Sequence, residues 1–164
     1  MASGNSLCLF TPSMAEYPAS NFATPDVRNV VLILDFDDTT DENVEFAGFM
    51  PRHYDGGGIT VTIGWMATTA TSGNAIIDVS FKSISAEADD VDTKAFAAVN
   101  SVTDAAAGTS GYVMYATITF TDGADMDSVA AGEYFRMKVN RDANNASDTM
   151  SGDLELVFVE IKET

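Results

Sequence analysis

Residues 58–85 read GITVTIGWMATTATSGNAIIDVSFKSIS, and their patterning decides the fold class. In the first half Ile59, Val61, Ile63 and Trp65 alternate with Thr60, Thr62 and Gly64. In the second half Ile77, Val79 and Phe81 alternate with Asp78, Ser80 and Lys82. A period of two, carried by β-branched and aromatic residues, marks strands buried on one face. The link between the halves is small and polar, with Ser72, Gly73 and Asn74 supplying turn chemistry. The stretch predicts the central antiparallel pair of an all-β sandwich. Trp65 is in phase with the inward residues, which makes it a core side chain rather than a ligand platform.

Turn-bounded apolar segments recur on both sides of this pair. Residues 28–36 contain VVLILDF, apolar on both faces, and residues 44–50 (VEFAGFM) end at Pro51. Further strands are predicted over 111–121, 132–141 and 154–162. Residues 93–102 read either as a short helix with Phe96 and Val99 on one face or as an eighth strand over 95–102. The expectation is an antiparallel β-sandwich, jelly-roll-like, with about eight strands over residues 28–164.

Residues 1–27 differ in kind. They hold three of the four prolines, Pro12, Pro18 and Pro25, at a spacing that interrupts helices and central strands. They predict an extended N-terminal arm outside the sandwich. Leu7, Leu9, Phe10, Tyr17 and Phe22 would be its anchors on a neighbouring subunit or host surface.

Composition narrows the functional classes. With 164 residues the chain is one domain long enough to bury a core. A formal charge of −17 argues against nucleic acid and against an anionic membrane surface as partners. Cys8 is the only cysteine, so neither an internal disulfide nor a cysteine zinc site is expected. The N-terminus has no basic segment and its apolar run is too short for a secretory signal.

Few residues carry recognisable chemistry. Asp37, Asp38 and Asp41, crowded with Asp35 and Glu42 into one turn, are the candidate calcium ligands, because Ca²⁺ takes hard oxygen donors. The turn departs from an EF-hand loop at Thr40, where that loop needs glycine. His53 is the single histidine, and no G-x-S-x-G elbow accompanies it. No catalytic residue is assigned and no cofactor other than calcium is expected; the chain reads as a non-enzyme. A glycan-binding reading would use exposed aromatic residues, with Tyr54, Tyr112 and Tyr134 as candidates.

Two segments carry a resemblance. They are LDFDDTTDENVEFAGFMPRHYDGGGITVTIGWMATTATSGNAIIDVSF and FTDGADMDSVAAGEYFRMKVNRDANNASDTMSGDLELVFVEIKET, within residues 34–164. The chain resembles small virion proteins and fibre-type terminal domains of tailed phages. The resemblance implies a jelly-roll-like structural module on the outer surface of a virion, usually oligomeric, and supplies no catalytic residues. The functional expectation is a capsid decoration protein, as a homotrimer. Its arm would grip the major capsid protein or another virion protein. A fibre-type or carbohydrate-binding module for host attachment is the alternative.

Overall fold

A computed structural model describes residues 4–164. The strands are β1 (Ser6–Phe10), β2 (Ala15–Glu16), β3 (Thr24–Arg28), β4 (Val31–Phe36), β5 (Glu42–Phe49), β6 (Ile59–Ala67), β7 (Asn74–Ile84), β8 (Asn100–Ala105), β9 (Met114–Phe120), β10 (Tyr134–Arg141) and β11 (Leu154–Glu163). They form two antiparallel sheets, a β-sandwich of jelly-roll type. One has the order β3-β4-β11-β6-β9, with β1 also on β11; the other is β2-β5-β10-β7-β8. β1 and β4 share one edge of β11, β1 pairing near Val159–Lys162 and β4 near Leu154–Leu156.

The alternation read from the sequence places the core correctly. Ile59, Val61, Ile63 and Trp65 face inward from one sheet, and Ile77, Val79 and Phe81 from the other, all fully or almost fully buried. Burying such side chains contributes about 1.5–3 kcal/mol each before chain entropy is charged. Trp65 also ties the sheets together: its Nε1–H donates to Asp104 Oδ2 on β8 at 2.8 Å. A buried indole needs such an acceptor.

The pairing of β6 with β7 does not form. β6 lies between β11 and β9, and β7 between β10 and β8, in opposite sheets. Their inward faces meet across the core, and the link after Ala67 spans the gap of about 10 Å between the sheets. Each strand still pairs on both edges, with partners other than the one expected.

Residues 6–28 are part of the sandwich, which corrects the free arm. β1 pairs with β11, β2 with β5 and β3 with β4. The expected boundary at residue 27 falls inside β3. Proline is accommodated because Pro12 opens a one-turn 3₁₀ segment and Pro25 sits on an edge strand. The single strand expected over 28–36 is the end of β3 and all of β4, joined by a tight turn at Asn29 and Val30, both with positive φ.

Residues 93–99 form neither helix nor strand; the eighth expected strand begins at Asn100. This segment instead folds against the outer face of the five-stranded sheet. Ala97 N–H donates to Phe81 O at 2.8 Å, and the Phe96 ring caps Lys82 and Lys138.

Candidate functional site

The outer face of the six-stranded sheet carries an open groove lined by Leu9, Thr62, Tyr115, Thr117, Phe158, Glu160 and Lys162. Three adjacent strands build its centre. Gly64 of β6 stands opposite Phe158 of β11 on one side and Tyr115 of β9 on the other. The Tyr115 and Phe158 rings meet edge to face, with centroids 5.3 Å apart and planes at 76°. Tyr115 remains 67% exposed.

A β-bulge and a glycine create this pair. In an unbroken ladder Phe158 would point inward with Leu156, since alternate residues share a face. The register shifts between Leu156 and Phe158, so Phe158 turns outward while Val159 and Ile161 return to the core. Gly64 then leaves the space into which the ring settles; a Cβ there would lie 2.1 Å from Phe158 Cε1. One row further along, Thr62 stands between Glu160 and Thr117, and Leu9 pairs with Glu160. Ser6 Oγ–H donates to Glu160 Oε1, which orients that carboxylate. The groove thus offers an exposed aromatic surface beside hydroxyl, carboxylate and ammonium groups. Such a surface can stack on an amphipathic ring and hydrogen-bond its edges.

The sequence candidates fall in different places. Tyr54 is only 6% exposed; its hydroxyl donates to Asp122 Oδ1 at 3.2 Å and accepts from Gly58 N–H at 3.1 Å, so it is structural. Tyr134 is half-buried against Phe49, with ring centroids 5.3 Å apart. Tyr112 is exposed and lines a second groove on the same sheet face, with Arg28, Val31, Met66, Val113 and Val157. His53 is exposed.

The five expected anchors separate as well. Phe10 is 2% exposed, packed on Phe46 and Phe135 at ring separations of 5.4 and 6.3 Å, and so is not available to a partner. Leu7 packs on the core, whereas Leu9 is exposed and joins the groove. Tyr17 and Phe22 are partly exposed and rest on each other, with centroids 5.6 Å apart. In β1 the cause is the pairing along β11, which turns Phe10 inward and Leu9 outward, while the register shift between Ser6 and Cys8 takes Leu7 out of that alternation.

Of the expected calcium ligands, Asp37 and Asp38 converge with Asp153, their carboxylate oxygens lying within 4.8 Å of one another. Asp41 is not in this cluster; its Oδ1 accepts from Asn144 N–H at 2.9 Å. Buried Arg141 brings Asp153 there. Its guanidinium pairs with Asp148 at 2.9 Å and donates to the carbonyls of Phe36, Met150 and Gly152, pinning the loop before β11 to the end of β4. Burial, then the charges of Asp37 and Asp38, raise the Asp153 pKa. Hydrogen bonds from Thr39 lower that of Asp37.

The groove centre was missed in the sequence because the bulge reversed the face of Phe158. The available signal was Gly64, a lone glycine inside a strand pattern, which marks a close approach.

No family model matches the chain, and no curated protein is similar to it in sequence. Solved structures share its fold. The CBM22-2 xylan-binding domain of Paenibacillus barcinonensis Xyn10C superposes with a TM-score of 0.55 at 13% identity, covering 97% of this chain and all of that domain (100%). The xylan-binding module CBM15 gives 0.47 at 11% identity over 96% of this chain and 97% of the module. A CBM28 module specific for non-crystalline cellulose gives 0.43 at 11% identity over 92% of this chain and 85% of the module. At 13% identity the likeness to the CBM22-2 domain concerns the fold alone.

Proposed function

We propose that the protein is a non-catalytic carbohydrate-binding module whose ligand lies along the outer face of the six-stranded sheet. The observation that carries this reading is the Tyr115–Phe158 pair, seated over Gly64 and flanked by Thr62, Thr117, Glu160 and Lys162. Tyr115 stacks on the apolar face of a sugar ring, and the neighbouring polar groups take its hydroxyls. The fold shared with a xylan-binding domain supports the class. It does not name the sugar. Calcium belongs to this proposal as an ion held by the carboxylates of Asp37, Asp38 and Asp153, tested by the change in melting temperature on titration with CaCl₂.

The test is a glycan array followed by titration calorimetry with the best-binding neutral oligosaccharide. Tyr115→Ala is expected to weaken binding at least tenfold. Stability should change by no more than about 0.5 kcal/mol, because the side chain is exposed. Equal binding by the variant, or no binding to any oligosaccharide, overturns the reading.

A place on the outside of a virion, as a capsid decoration or fibre-type protein, remains part of the proposal on the sequence resemblance. With Phe10 in the core, contacts to a virion protein would come from outer surfaces and not from a free arm. Antibody labelling of purified particles, together with the mass of the protein in solution for the expected homotrimer, tests this part.

A further inference from the structure

The outer face of the five-stranded sheet holds a group of side chains that the glycan reading does not use. Ser80 and Lys82 of β7 stand opposite Lys138 and Arg136 of β10, so the four share one patch. Arg136 is neutralised by Glu45 and Glu16, each at 2.6 Å. Glu45 faces Lys138 in register, yet its carboxylate is taken by Arg136. Asp78, the next acid along β7, accepts from Ser101 Oγ–H. Among the described residues neither Lys82 nor Lys138 has a carboxylate within ion-pair distance.

Both ammonium groups instead lie against one ring, Lys82 Nζ at 4.6 Å and Lys138 Nζ at 4.9 Å from the Phe96 centroid. Lys82 is 9% exposed, and Ser80 is 0% exposed with an Oγ that has no hydrogen-bond partner. Two like charges and an orphan hydroxyl held under one ring are costly. Lys82, Lys138 and Ser80 are neighbours on one sheet face and none of them has a hydrogen-bond acceptor among the described residues, which suits an anion with oxygen acceptors. Phe96 sits on a segment without regular structure, fastened to the sheet by the Ala97–Phe81 backbone bond. Such a segment opens locally at small cost.

We infer that Lys82, Lys138 and Ser80 form a binding site for an oxyanion, the carboxylate or sulfate group of an acidic sugar, with Phe96 as its lid. The ammonium groups supply charge and the Ser80 hydroxyl the third hydrogen bond. This site is on the sheet opposite the Tyr115 groove and does not depend on it.

The full chain is titrated calorimetrically with sodium glucuronate, sodium sulfate and glucose, at fixed ionic strength in chloride. Saturable binding of glucuronate or sulfate is expected, with glucose inert. Glucuronate alone identifies a uronate site; sulfate alone identifies a sulfate-ester or inorganic sulfate site. Lys82→Met and Lys138→Met keep the aliphatic stems and are each expected to weaken the anion at least tenfold. Phe96→Ala keeps all three donors and is expected to retain binding with faster association; it stands in should a lysine variant fail to fold. The inference is overturned if neither anion binds more tightly than chloride. It is also overturned if the lysine variants bind as the parent does, or if Phe96→Ala abolishes binding.

Discussion

The Phe158 ring rests on Gly64 so closely that a single added methyl would stand 2.1 Å from Cε1. The contact joins β6 to the bulge of β11 and gives the groove its floor. Gly64→Ala is therefore expected to cost about 1–3 kcal/mol as an overpacked site and to displace the ring from Tyr115. Adding Phe158→Ala removes the clash. In a double-mutant cycle followed by thermal melting, the pair of changes should cost less than the sum of the two alone. Additive costs would show that the ring and the glycine are not coupled.

Val30 occupies the turn between β3 and β4 at φ +72° and is 91% exposed. Its partner Asn29 is at φ +47°, so both central residues are left-handed, as a type I′ hairpin turn requires. A β-branched residue there is strained, and its side chain buries nothing in return. Val30→Gly creates the favoured Asn-Gly sequence. It should raise the melting temperature by about 2–4 °C, the shift expected for roughly 1 kcal/mol in a domain of this size. An unchanged or lower melting temperature contradicts the strain.

Asp35 on β4 has a buried Oδ1 without a hydrogen-bond partner and stands opposite Glu155. Burial, then the charges of Glu155, Asp153, Asp26 and Glu42, push its pKa up to about 6. The folded form thus holds a proton that the unfolded chain releases near pH 4. The associated stability is present at low pH and is lost as pH rises through about 6. Asp35→Asn should raise the melting temperature at pH 7.5 and leave it nearly unchanged at pH 4, each variant compared with the parent at the same pH. An equal gain at both values would mean that the proton is not involved.

Phe10 is expected to behave as a core residue. Phe10→Ala should destabilise by about 3–5 kcal/mol in chemical denaturation, the loss typical of an emptied aromatic site. Leu9→Ala, one position away on the exposed side, should fall within about 0.5 kcal/mol of the parent. Similar small costs for both would mean that the N-terminal strand does not contribute to the folded core.

Alternation along single strands was legible from the residues alone. It assigned Ile59, Val61, Ile63 and Trp65 to the core and located most strands to within a few residues. Proline spacing was misleading for residues 1–27, because an edge strand and a 3₁₀ turn tolerate proline as well as a free arm does. The Phe96 segment was ambiguous because its partner, the lysine patch, is built by two strands distant in sequence.

By itself the sequence determined that this chain is all-β and which face of each regular strand turns inward, since a period of two is a property of neighbouring residues. Only the tertiary structure decided that β6 and β7 belong to opposite sheets, that β1 completes β11, and that Phe158 turns outward onto Gly64. Those choices depend on strands competing for shared edges and on one bulge shifting a register, and the lone Gly64 is the one local trace of either.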